Sequence, residues 1–260
     1  MKQIILSTGS TSSLGLDNLA TFEKFTNNEV YDYEIFFQSR LELTASEIKK
    51  VKEYCSQKGV NVNSIHPFME GYEVPNLFSV NIKKYTEAKD IFYRFLEICV
   101  LLNSKYLIMH GPLQNCDWDN SIDRIKFLIA EAEKYNIDIA IENKDYTLFY
   151  CPEQIILLKE QLESDNWGFV LDFKSAWKAN ISLTDMVDAM GKRLLFSHVS
   201  FRDLENNKYG ISFQKPDKSV YKIFSYIKEK YKTPRYVIEV DLVESEIDII
   251  RTISHVEGLL

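Results

Sequence analysis

Cysteine is scarce in this chain, and what there is lacks pattern. The four cysteines, Cys55, Cys99, Cys116 and Cys151, form no C-x-x-C pair and no metal-ligand spacing. That argues against a thiolate zinc site and a disulfide framework, and it points to a reducing, cytoplasmic compartment. Long apolar runs are missing too. None approaches the roughly 20 residues that span a bilayer, and the opening MKQIILSTGS is too short an apolar run for a signal peptide. The expectation is a soluble protein without a membrane partner. A basic surplus is also missing: net charge is −7 and the pI about 5.3, which argues against nucleic acid as a partner. Lys83, Lys84, Lys89 and Arg94 fall on one predicted helix and read as its solvated face. Glycine and proline nowhere cluster into a linker, so nothing divides residues 1–260 into domains. Ser7-Thr8-Gly9-Ser10, after the first predicted strand, is not G-x-G-x-x-G. An open dinucleotide-binding sheet therefore ranks below a closed barrel, and a phosphorylated ligand is weakly disfavoured.

What is present is an alternation of strand and helix, the pattern of parallel βα units. Short segments rich in β-branched and aromatic residues recur at Gln3–Ser7, Tyr33–Phe37, Val60–Ile65, Tyr106–His110, Asp138–Glu142, Gly168–Asp172, Leu194–His198 and Tyr236–Val240. Several are nearly continuous apolar runs, as expected of strands buried on both faces. Between them lie helical patterns. Thr44 opens T-A-S-E, a capping-box pattern. Lys83–Asn103 carries Ile91, Phe92, Phe95, Leu96, Cys99 and Val100 at helical spacing. Pro152 suits the first turn of a helix through Leu162, and Ser245–His255 reads as the last helix. Eight such units in 260 residues fit a single-domain (β/α)₈ TIM barrel, which typically takes about 250 residues.

In that fold the chemistry sits at the C-terminal ends of the strands. Strand three is followed by His66, strand four ends at His110, strand five at Glu142, strand six at Asp172 and strand seven at His198; strand eight carries Glu239. The chain has four histidines, and three of them take these positions; His255, in the last helix, reads as structural. Glu142, Asp172, His198 and Glu239 form a hard, mostly oxygen donor set. It suits Mn²⁺ or Mg²⁺, with Co²⁺, Fe²⁺ or Zn²⁺ as alternatives. Without a cation the converging carboxylates would repel one another.

The order of these residues, with the strings Ile-Ala-Ile-Glu142-Asn, Val-Leu-Asp172, Ser-His198-Val-Ser-Phe-Arg-Asp203 and Val-Ile-Glu239-Val, resembles the xylose-isomerase-like TIM barrel superfamily over essentially the whole chain. The resemblance to its sugar epimerases and ketose isomerases implies that Glu142 and Glu239 both hold the metal and move protons. The chemistry agrees. Isomerising a ketose removes a proton beside a carbonyl, one carboxylate taking it and a second, on the other face, returning it, while a metal stabilises the enediolate.

Departures from the family pattern bear on substrate contacts. Ser175 stands where the epimerases carry a histidine, and Arg202 follows His198 by four residues rather than six. Asp203 matches a turn position with a structural role. Lys144 forms a Glu-x-Lys similar to that of xylose isomerase, whose lysine polarises a sugar oxygen; a solvent-exposed loop lysine is the other reading. His66 and His110 are shared with endonuclease IV, but the further histidines of its metal cluster are absent, so they are expected to orient substrate hydroxyls. Pro67–Asn81, with Phe68, Met69, Tyr72 and Phe78, is long enough for a lid, and Trp177 could stack on a sugar face or pack in a helix core. The expected function is a metal-dependent isomerase or epimerase of a small sugar or related polyhydroxy carbonyl compound. An inosose-type dehydratase and a non-catalytic sugar-binding barrel are the alternatives. Dimers and tetramers are common among such proteins, so a homo-oligomer is an open expectation.

Overall fold

β-Branched and aromatic residues set the strands, and polar caps and glycines set the breaks between them. The computed structural model describes residues 3–67, 76–215, 218–232 and 234–260. In chain order its elements are β1 (Ile4–Ser7), α1 (Asn18–Thr26), β2 (Asp32–Phe36), α2 (Ala45–Lys58), β3 (Asn61–His66), α3 (Ile82–Leu101), β4 (Tyr106–His110), α4 (Trp118–Glu133), β5 (Asp138–Glu142), α5 (Pro152–Gln161), β6 (Trp167–Asp172), α6 (Phe173–Lys178), α7 (Leu183–Met190), β7 (Leu194–Val199), β8 (Phe201–Asp203), β9 (Lys208–Ile211), α8 (Lys218–Lys230), β10 (Tyr236–Ile238) and α9 (Glu246–Leu259). Strands β1 to β7 and β10 close into a parallel barrel, with β10 seated between β7 and β1.

Two apolar layers hold the barrel. The larger lies between strands and helices and includes Phe22, Tyr33, Phe95, Trp167, Phe169 and Tyr236. The smaller plugs the barrel interior with Ile5, Ile108, Ala140, Val170, Phe196 and Val237. Side chains two apart on a strand share a face. One step beyond this plug, therefore, the interior-facing positions are Ser7, His110, Glu142, Asp172, His198 and Glu239. The same alternation that builds the plug delivers the polar cluster above it. Adjacent strands keep it level: His110 pairs with Glu142, and Asp172 with His198.

Several expectations need correction. The last barrel strand ends at Ile238, not Val240: the Glu239 amide still donates to the Val199 carbonyl of β7, but Val240 N–H donates to Ser10 Oγ and Asp241 N–H to the Gly210 carbonyl. The pattern reading missed β8 and β9, a short antiparallel hairpin. Asp203 holds its turn by accepting from the amides of Glu205 and Asn206 and from Asn206 Nδ2. The Thr44 side chain makes no cap to α2; the capping box forms just upstream, between Ser39 and Glu42. In α3, Phe92, Phe95, Leu96 and Cys99 are buried, whereas Val100 is exposed. Of the expected lid, Phe68, Met69 and Tyr72 lie outside the described residues, while Phe78 is buried in the core. His255 stacks on Phe213 with ring centroids 3.6 Å apart, a packing role. No helix among the described residues is long and apolar enough to cross a membrane.

Candidate active site

Glu142 ends β5 and is fully buried. Its Oε1 lies 2.6 Å from Lys144 Nζ and 2.9 Å from His198 Nδ1. Two imidazoles crowd the other oxygen, Oε2: His110 Nε2 at 2.7 Å and His66 Nε2 at 3.5 Å. Glu239, just past β10, reaches the same centre, with Oε2 2.7 Å from His198 Nδ1; its side chain is 14% exposed.

Asp172 does two jobs. It caps α6 by accepting from the Ser175 amide at Oδ1, while Oδ2 accepts from Lys144 Nζ at 2.6 Å and from Ser175 Oγ. Asn143 locks the two strand ends together: its Oδ1 accepts from the Asp172 amide, and its Nδ2 donates to the Asp172 carbonyl. Lys144 is thus neither exposed nor at a rim. It is buried between two carboxylates.

Glu34 on β2 joins this cluster although it stands inside its strand rather than at the end. It is fully buried; its Oε2 lies 3.2 Å from His198 Nε2 and accepts from Ser64 Oγ at 2.7 Å. An acid in the middle of the apolar run Tyr-Glu-Ile-Phe was the available signal. With Nε2 facing Glu34, His198 is oriented so that Nδ1 points at Glu142 and Glu239. Outer carboxylates fix metal-binding histidines in this way.

The site's electrostatics are a contest between burial and pairing. Burial disfavours charge on His198, but Glu34, Glu239 and Glu142 outweigh it and hold the imidazole well above its ordinary range. Burial also raises Glu142 and Glu239. The cations win there as well, Lys144 and His198 holding both carboxyls well below the usual range. At Asp172 burial prevails and its pKa rises, against Lys144 and Lys174. Burial opposes charge on Lys144, yet Asp172, Glu142 and Glu239 keep it firmly protonated. Burial pushes His110 down to about 4, partly offset by Glu142. Its Nδ1 faces the Tyr146 hydroxyl at 3.2 Å.

Glu142, His198 and Glu239 present ligand atoms within 4.8 Å of one another, and so do His66, His110 and Glu142. Glu34 Oε1 is a buried acceptor without a hydrogen bond among the described residues. Hard oxygen donors plus one imidazole fit a divalent cation. Asp172 belongs to neither group, its outer oxygen being engaged by Lys144. The remaining expected contacts lie together in the hairpin region. The Arg202 guanidinium covers the Trp177 ring at 4.6 Å and donates to Ser219 Oγ, and Trp177 packs edge-on against Phe173. A cavity of 840 Å³ lined by Asp32, Asn61, Tyr106 and Arg235 opens at the other end of the strands, away from this cluster.

Residues 21–219 match the model of the xylose isomerase-like TIM barrel family. The chain belongs to that family. Comparison with curated protein sequences gives no match. Among solved structures the chain is similar to a D-tagatose 3-epimerase-like protein (TM-score 0.82, 17% identity, 99% of this chain and 97% of that one). It is also similar to the IOLI protein with a bound zinc atom (0.80, 16%, 99% and 98%), and to D-psicose 3-epimerase in the presence of D-fructose (0.74, 13%, 97% and 89%). Likeness at such identity speaks to the xylose isomerase-like fold alone.

Proposed function

We propose that this protein is a divalent-metal-dependent isomerase or epimerase of a small sugar or related polyhydroxy carbonyl compound. The observation that carries the reading is the convergence of two ionised carboxylates, Glu142 and Glu239, on Nδ1 of one imidazole at 2.9 and 2.7 Å. Held below their usual range, both are in the form that accepts a proton. Glu239, the partly exposed member, takes the proton beside the carbonyl and releases it to solvent, and Glu142, having taken up a solvent proton earlier in the cycle, delivers that proton to the other face. His198 and Asp172 complete a donor set for the cation, with Mn²⁺ or Mg²⁺ the favoured ions. When bound, that ion supplies positive charge against which negative charge developing on substrate oxygens is stabilised. His66 and His110 orient substrate hydroxyls, and protonated Lys144 donates to a substrate oxygen. Arg202 and Trp177 enter this reading only through packing of the hairpin against α6. The family resemblance, the epimerase neighbours and a zinc-bound neighbour support the assignment.

The test is a panel of small ketoses and inososes incubated with Mn²⁺-supplemented protein, with products resolved by chromatography and mass. An isomer of unchanged mass is the expected product. Glu142→Gln and Glu239→Gln should each lower its rate by about 10²- to 10⁴-fold. A product lighter by one water would replace this reading with a dehydratase. Tight sugar binding without conversion would replace it with a binding barrel.

A further inference from the structure

Lys144 stands where the charge of a bound cation would be felt. Its Nζ is 2.6 Å from Glu142 Oε1 and 2.6 Å from Asp172 Oδ2, and its side chain is only 7% exposed. The position is built in. The Lys144 carbonyl accepts from both the amide and the hydroxyl of Thr147, and the neighbouring Asn143 clamps the ends of β5 and β6 through two hydrogen bonds. The other lysine nearby, Lys174, is spent on Asp241 at 2.7 Å. On Asp172, Oδ1 accepts from the Ser175 amide that caps α6, and Oδ2 accepts from the ammonium and from Ser175 Oγ. A divalent ion bound through Glu142 Oε1 or Asp172 Oδ2 would compete with the ammonium for an oxygen it already holds.

From this geometry we infer that Lys144 is a tethered counter-ion in competition with the metal. In the metal-free protein its ammonium neutralises Glu142 and Asp172. Metal entry displaces it, and the displaced ammonium swings from the carboxylates toward the substrate space. The protein consequently binds its metal weakly and exchangeably, and the apo form stays folded without it. This inference rests on the metal-centre reading of Glu142, Asp172, His198 and Glu239, and it adds a regulator of that centre.

The experiment is a calorimetric titration of chelator-treated protein with MnCl₂, comparing wild type with Lys144→Met and Lys144→Gln. Both variants should bind Mn²⁺ about tenfold more tightly or better, the scale on which changes beside metal ligands act. Their metal-free forms should melt lower than wild type, with a larger gain on adding Mn²⁺. In the wild-type protein itself, Mn²⁺ should increase reductive methylation of Lys144, read by peptide mass spectrometry; this arm holds whether or not the variants fold. If wild type binds Mn²⁺ and the variants bind it equally or less tightly, the competition is overturned and the metal centre stands. Lys144 methylation unchanged by saturating Mn²⁺ likewise overturns the competition. If neither wild type nor variants bind Mn²⁺, both the competition and the metal centre fall.

Discussion

One imidazole meets three carboxylates at the top of this barrel, and which nitrogen faces which oxygen decides what the site can hold. His198 Nε2 faces Glu34, and Nδ1 faces Glu142 and Glu239. Glu34→Gln keeps the shape but removes the charge that fixes this orientation. Mn²⁺ affinity measured by calorimetry should weaken about tenfold or more, and an unchanged affinity would remove Glu34 from the site. His110 gives a pH signature. Its pKa in the folded state is depressed to about 4, below the roughly 6.5 of an unfolded histidine. Between these values the unfolded chain binds a proton that the folded one refuses, so His110 costs stability as pH falls through that window. In chelator-treated protein the slope of stability against pH there should be shallower in His110→Gln by up to about 1.4 kcal/mol per pH unit. Parallel slopes would contradict the assignment. At this scale the sequence was partly legible. His66, His110, Glu142, Asp172 and His198 could be placed because each stands at a strand end. Glu34 escaped because it lies within its strand, where nothing local says that a buried acid has a partner 164 positions away.

At the scale of elements, the alternation of strand side chains explains why plug and site come together. Ile108 and His110, Val170 and Asp172, and Phe196 and His198 are each two residues apart, so any pattern that buries the first points the second into the barrel mouth. The strand reading worked for this reason, and it failed where long-range partners outvote propensity. Val240 and Asp241 leave their strand for Ser10 and Gly210, and β8 and β9 pair with each other outside the barrel sheet. Strand β6 also carries a steric constraint. A Cβ on Gly168 would sit 2.5 Å from the Arg193 carbonyl oxygen and 2.6 Å from Leu195 Cγ, and a backbone atom cannot step aside as a side-chain tip can. Gly168→Ala should therefore cost about 2 to 3 kcal/mol, seen as a melting temperature lower by about 5 to 10 °C. A wild-type melting curve would show that the β6–β7 contact is looser than described.

For the whole molecule, the barrel is a frame that brings residues from β2, β3, β4, β5, β6, β7 and the end of β10 to one point, so ligand binding there must couple to global stability. An ion that binds only the folded chain stabilises it by about 2.7 kcal/mol at a hundred times its dissociation constant. Mn²⁺ should thus raise the melting temperature by about 5 to 10 °C, and His198→Ala should lose most of that gain. The family and the fold were legible because their signals repeat eight times along the chain; the substrate was not, because its contacts depend on a few side chains whose partners come from distant loops. Proton transfer by the two glutamates remains the claim on which the functional reading stands. Small ketoses incubated in deuterated water with Mn²⁺-loaded protein should gain one deuterium at the carbon beside the carbonyl, and Glu239→Gln, still binding Mn²⁺, should leave them unlabelled. Deuterium entering at an undiminished rate in Glu239→Gln, or no deuterium in a ketose that the metal-loaded wild type binds tightly, would contradict that claim.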